Sequence, residues 1–188
     1  LFRDVSFRLL PGRRIALVGG NGVGKTTILE IVVGHQRADA GEVHRTKDLT
    51  VGYLPQDLTD EVNDTVLAHV MAGAGELAGM EEELRSLEAD MASPDAAKAE
   101  AALDAYGEIS TRFEAAGGYQ LEAEAQRVLA GLGFKPSDAN RSVSELSGGW
   151  RMRATLGQLL LAKPEVLVLD EPTNHLDVDS VTWLEEQL

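Results

Sequence analysis

Apolar residues recur at two different periods along this chain, and the change of period divides it. Near the start the period is two. Val5, Phe7 and Leu9 alternate with polar residues, which predicts a strand over 5–10 followed by a turn at Pro11-Gly12. A short apolar run predicts a buried strand over 15–18. Residues 27–33 then read as a helix stopped by Gly34. Two more strands are expected over 41–45 and 49–54, entered through the turn residues Asp39, Ala40 and Gly41. Residues 65–71 read as a short helix.

From Glu76 the period lengthens. Leu77, Met80, Leu84, Leu87 and Met91 step by three and four, a heptad-like stripe on one helix face. Ser93-Pro94-Asp95 interrupts it. Leu103, Tyr106, Ile109 and Phe113 then form a second stripe. Two amphipathic helices joined by a short turn predict an antiparallel hairpin with facing apolar seams. Gly117-Gly118 ends it. A further helix is expected over 121–132, with Leu121, Ala125, Val128, Leu129 and Leu132 on one face. After a polar loop, residues 151–162 read as helix, 166–169 as a buried strand and 178–188 as helix.

Composition narrows the class. The 188 residues are 44% hydrophobic and 26% charged, the balance of a globular domain with a core. No apolar run reaches the length of a membrane-spanning helix, and the chain opens on no signal peptide. It has no cysteine, which excludes disulfides and thiolate metal sites and suits a cytoplasmic protein. His35, His44, His69 and His175 show no metal-ligand spacing. The net charge of −14 argues against a broad nucleic-acid-binding face. That charge is concentrated: residues 76–124 hold 13 acidic and 3 basic side chains. The hairpin should therefore project into solvent or meet a partner. The chain enters a strand pattern at Leu1 and closes on a helix without a capping residue, so it is expected to be an excerpt of a longer protein.

The candidate chemistry lies in Gly19-Gly20-Asn21-Gly22-Val23-Gly24-Lys25-Thr26-Thr27. Gly, four residues, then Gly-Lys-Thr is the spacing of a phosphate-binding loop. Glycines let the backbone curl so that several N–H groups converge on an anion. The strand before and the helix after place the loop at a helix N-terminus, where the macrodipole favours phosphate. Lys25 is expected to reach the outer phosphates, and the Thr26 hydroxyl to ligate magnesium. Four apolar residues lead into Asp170-Glu171, the pattern of a second nucleotide-handling strand. Asp170 is expected to hold the metal, and Glu171 to polarise the attacking water. Ser147-Gly148-Gly149 opens a helix and forms a second anion cradle, suited to a nucleotide held by another domain.

In this order the phosphate loop, Tyr53-Leu54-Pro55-Gln56, Leu146-Ser147-Gly148-Gly149 and Leu169-Asp170-Glu171-Pro172 resemble the ATP-binding cassette (ABC) ATPases over nearly the whole chain. The resemblance implies an α/β fold: a P-loop NTPase core of the ABC type with a mixed sheet, plus a helical subdomain carrying an inserted hairpin. It implies ATP and Mg2+ as cofactors. Gln56 matches the glutamine that touches the metal and the attacking water. Ser147, Gly148 and Gly149 match the signature that contacts the γ-phosphate on an opposing cassette. Leu176-Asp177 matches the loop facing that partner. Residues 171–177, Glu-Pro-Thr-Asn-His-Leu-Asp, are most similar to the ABC-F proteins, soluble translation factors with two cassettes in one chain. Trp150 replaces the commoner glutamine of the signature, a departure familiar in that group. The acidic hairpin matches in position the arm inserted in the first cassette.

The organisation so implied is a single ATP-binding domain over 1–188. Residues 1–64 and 151–188 form the nucleotide-binding core, 65–150 a helical subdomain and 76–116 the arm-like hairpin. An adenine-stacking aromatic is expected before Leu1 and a switch histidine after Leu188. Three functions compete: an ATP-hydrolysing ABC-F cassette acting on the ribosome, the ATP-binding subunit of an ABC membrane transporter, and a nucleotide-binding module without turnover. Gln56, Asp170 and Glu171 disfavour the third. The hairpin and Asn174-His175 favour the first. A second cassette in the same full-length chain is the expected partner.

Overall fold

The structure, a computed structural model, describes residues 2–58 and 63–188; Leu1 lies outside them. The chain forms two compact units, Leu1–Gln56 with Glu165–Pro172, and Asp57–Pro164 with Thr173–Leu188. Residues 151–164 and 173–188, expected in the nucleotide-binding core, thus group with the helical unit.

The first unit contains helix α1 (Lys25–Val33), strand β1 (Val51–Leu54) and strand β2 (Val166–Leu169). The strands pair in parallel, with Val51 opposite Val166 and Leu54 opposite Leu169. Their entry is locked by a reciprocal exchange. The Thr50 N–H donates to Glu165 Oε2 at 3.1 Å, and the Glu165 N–H donates to Thr50 Oγ1 at 3.0 Å. Leu54 and Val168 are buried. Among the described residues, the expected strands over 5–10, 15–18 and 41–45 are not formed as regular strands. Alternation marks which face of a strand is apolar, but a strand also needs a hydrogen-bonding neighbour. Those stretches find none here, and most of their apolar side chains stay exposed, Val5 at 50% and Val18 at 93%. The run at 15–18 is therefore not the buried strand that its composition suggests. Helix α1 ends where expected, at Gly34, whose φ of 86° is open to glycine and whose N–H bonds back to Glu30 and Ile31.

The second unit is built of helices α2 (Val66–Met71), α3 (Glu76–Met91), α4 (Ala96–Ala115), α5 (Leu121–Gly131), α6 (Gly148–Ala162) and α7 (Val178–Gln187). The Thr65 hydroxyl caps α2 by accepting from the Ala68 N–H. Asp95 caps α4 by accepting from Ala97 and Lys98, so the Ser93-Pro94-Asp95 break both stops one helix and starts the next. Val66 and Val70 of α2, Ala125 and Val128 of α5, and Ala154 and Leu156 of α6 form the buried centre. Helices α3 and α4 pack as the expected hairpin around Leu84, Ile109 and Phe113, flanked by Leu77, Met80, Leu87 and Tyr106. Leu103 is not on that seam. Stepping back from Phe113 by four, three and four residues reaches Ala102, which is buried, while Leu103 is 55% exposed. Helix α6 begins at Gly148 rather than Arg151, so the Ser-Gly-Gly motif lies at its first turn.

Candidate functional site

The phosphate loop lies directly before α1. Gly22 and Gly24 take φ of 76° and 100°, conformations that a side chain resists, and this is how the chain turns into the helix. Gly24 is the N-cap residue and offers no side chain to the helix end, so the first-turn N–H groups of Lys25, Thr26 and Thr27 are left for a ligand. The Lys25 ammonium folds back over its own loop and donates to the carbonyls of Gly19 and Gly20, both at 3.1 Å. It also stands 3.6 Å from Glu171 Oε1. Lysine and glutamate, 146 positions apart, thus meet at the loop. Asn21 and Val23 occupy the exposed turn of the loop.

Parallel pairing brings the other candidates to one edge. Because Leu54 lies opposite Leu169, both strands end together, and the Asp170 N–H donates to the Leu54 carbonyl at 3.0 Å. Gln56 follows β1 by two residues, and Asp170 and Glu171 follow β2 by one and two. The carboxyl ends of parallel strands are where such folds bind ligands. Asp170 is 4% exposed, and its Oδ2 has no hydrogen-bonding partner. A buried, unpartnered carboxylate oxygen fits a cation or its bound water. Glu171 has a φ of 50°, uncommon outside glycine, the kind of local strain that clusters at functional sites. No sequence pattern announced this strain. Nearby, the Tyr53 hydroxyl is buried without a partner. Burial, then the carboxylates of Asp170 and Glu30, raise its pKa above 10.0. The Tyr53 ring meets His35 edge-on at 5.4 Å between centroids.

The signature residues belong to the second unit. Ser147 is the N-cap of α6 in extended conformation, yet its hydroxyl makes no capping bond. Ser147 and Gly148 are exposed. Gly149 faces His175: a Cβ there would lie 3.4 Å from the imidazole Nδ1. Trp150 packs edge-on against Phe134 at 4.8 Å and carries the Arg153 guanidinium over its face at 4.6 Å. Arg153 also reaches the segment after Glu171. Its Nε donates to the His175 carbonyl at 2.6 Å, and an Nη donates to Leu132 O at 3.0 Å and to Asp177 Oδ2 at 2.8 Å. Asp177 caps α7 by accepting from the Ser180 N–H at 2.9 Å. That backbone bond first, and the Arg153 guanidinium next, hold its carboxyl at about 2 instead of 3.8. Arg153 was invisible as a functional residue in the sequence, where it is one polar position on an amphipathic helix.

A glycine loop closing onto a helix, with acidic residues at the carboxyl end of a neighbouring parallel strand, defines a P-loop nucleoside-triphosphatase fold. The chain belongs to the ABC transporter family, whose sequence pattern matches residues 2–174. It is 43% identical over its whole length to the protein YdiF of Bacillus subtilis, and 36% identical to ABC transporter F family member 5 of Arabidopsis thaliana. It is likewise 36% identical to the energy-dependent translational throttle protein EttA of Escherichia coli. The chain spans 29%, 28% and 33% of those three proteins. Its fold is similar to that of the archaeal ribosome recycling factor aABCE1, solved in complex with the ribosomal stalk protein aP1. There the TM-score is 0.54 at 25% identity, covering 90% of this chain and 24% of that one. Its similarity therefore runs to ABC-F proteins, and the family is one of nucleotide-binding ATPases. No helix among the described residues is long and apolar enough to cross a membrane.

Proposed function

We propose that this chain is an ATP-binding and ATP-hydrolysing cassette, the first of two, in a cytoplasmic ABC-F type protein that acts on the ribosome. The observation that carries the catalytic part is the placement of Lys25 beside Glu171, with Asp170 buried at the same strand end. The loop N–H groups of residues 22–27, with Gly19 and Asn21 in its turn, bind the phosphates. Lys25 neutralises the outer ones. Thr26, Gln56 and Asp170 would hold Mg2+; when bound, the ion supplies charge neutralisation at the phosphate oxygens.

Glu171 accepts the proton of the attacking water, and Gln56 orients that water. Arrival of a phosphate gives Lys25 a stronger partner than Glu171, which leaves the carboxylate available as a base. Ser147, Gly148 and Gly149 contact the terminal phosphate of a nucleotide held by the second cassette, and Asn174-His175 and Leu176-Asp177 lie on the face turned to it. The hairpin α3–α4 serves as an arm that contacts protein, because its acidity repels RNA phosphates.

The ribosomal part is supported by the similarity to EttA and to a ribosome recycling factor. Its test is cosedimentation of the Glu171→Gln protein with ribosomes in ATP. Binding in ATP but not ADP is the expected result. Recovery with a membrane fraction instead would favour the transporter-subunit reading.

A further inference from the structure

We propose that Arg153 is a positioning residue for hydrolysis, joining the helix that carries the signature to the segment 173–177 that follows Glu171 in the chain. The inference rests on the ATPase reading above. Arg153 projects from the second turn of α6, one turn beyond Ser147–Gly149, and its side chain is only 11% exposed. It is an arginine clamped on every side. Two backbone carbonyls, of His175 and Leu132, and one carboxylate, of Asp177, accept from it. The Trp150 face lies beneath it. Gly133 makes room: its φ is 87°, and a Cβ there would stand 2.9 Å from the guanidinium. A planar fork that donates in three directions suits this junction, whereas a lysine ammonium on the same stem does not match it.

The consequence lies in what is held. His175 is fixed by its carbonyl while its ring stands against Gly149 of the signature. Asp177 is fixed by two separate bonds, to Arg153 and to the first turn of α7. The signature turn, segment 173–177 and the start of α7 therefore share one hub and move as one body. Anion engagement at Ser147–Gly149 is transmitted along the chain toward Glu171 without Arg153 touching nucleotide. Its loss should slow the chemical step and leave nucleotide capture by the phosphate loop unchanged.

The experiment uses the complete protein. Steady-state ATPase kinetics would be measured for the parent, Arg153→Gln, Arg153→Lys, Asp177→Asn and the Arg153→Gln/Asp177→Asn double variant, with affinity for a fluorescent ATP analogue and the thermal midpoint of each. Arg153→Gln should lower kcat by about tenfold or more, with analogue affinity within about twofold of the parent. Arg153→Lys should fall between the two. The double variant should lose less than the product of the single losses, since both act through one contact. Parental kcat in Arg153→Gln overturns the inference, and so does a loss confined to KM or to analogue affinity.

If the midpoint of Arg153→Gln drops, Asp177→Asn decides. Asparagine still caps α7 but gives up the charged pair, so unchanged kcat in that variant overturns the inference as well. Lys25→Ala separates the two levels. Its normal binding of the analogue would defeat the ATPase reading, whereas its failure to bind beside a fully active Arg153→Gln would defeat only the role of Arg153.

Discussion

Replacing Lys25 by alanine removes the ammonium that folds over the loop backbone. In the structure that group is held by Gly19 and Gly20 at 3.1 Å and by Glu171 at 3.6 Å, with its side chain 18% exposed. Two unit charges at 4 Å attract by about 4 kcal/mol in the dielectric near a protein surface. Binding first strips Lys25 from those resting partners, so the net worth is nearer that of a charged hydrogen bond, about 1.5–3 kcal/mol. At about 1.4 kcal/mol per tenfold, Lys25→Ala should weaken ATP binding by roughly 10- to 150-fold.

The assay is titration with a fluorescent ATP analogue at fixed ionic strength, because screening alters such contacts. The resting pair adds a second arm. Glu171→Gln frees Lys25 from a partly exposed partner worth at most about 1 kcal/mol, so its affinity should equal the parent's or exceed it by up to about fivefold. An affinity within about twofold of the parent in Lys25→Ala would refute the role of the lysine. Binding weakened by about tenfold in Glu171→Gln would refute the competition between carboxylate and phosphate.

Glu171→Gln should also lower turnover by about 10²–10⁴, because the amide keeps the size but cannot take the water's proton; hydrolysis at the parental rate removes Glu171 as the base. Phe113→Ala should destabilise the hairpin by about 3–5 kcal/mol, since the ring is buried between Leu84 and Ile109 and meets Tyr119 edge-on. Hydrogen exchange should then accelerate across residues 76–115 while the amides of α5 and α6 keep their protection. The Asp177 carboxyl sits below its unfolded value, so its stabilising contribution is present above pH 3.8 and fades as pH falls through about 2. Acid unfolding of Asp177→Asn should lack that component. His69 is shifted downward by burial, against the pull of Asp64, so it stabilises above its ordinary 6.5 and less as pH falls below it. Replacing it with glutamine should flatten the stability profile below its ordinary 6.5.

The helices were legible because their causes are local. Gly34 stops α1, Asp95 starts α4, and the three-and-four spacing of Leu77, Met80, Leu84 and Leu87 marks the hairpin seam. The phosphate loop was legible for the same reason: its glycines, Lys25 and Thr26 are neighbours in the chain, and their chemistry needs that spacing. Leu103 falls off the seam because one residue of helical phase is worth 100°, which turns it away from the face that the buried Ala102 occupies. The expected strands at 5–10, 15–18 and 41–45 misled for a deeper reason. Alternation reports a face, whereas a ladder depends on a partner elsewhere in the chain.

Partner choice is what only the tertiary structure decided. Thr50 and Glu165 stand 115 residues apart, and their exchange of hydrogen bonds sets the register that brings Gln56 and Asp170 to one edge. No local pattern distinguishes that register from a slip, since residues 51–54 and 166–169 are both short apolar runs. The same holds for Lys25 with Glu171 and for Arg153 with Asp177. Residue types and local spacing determine what chemistry each segment can carry. Packing of distant segments determines which of those groups face one another, because a hydrogen bond or ion pair exists only at the few ångströms where two chains of atoms meet.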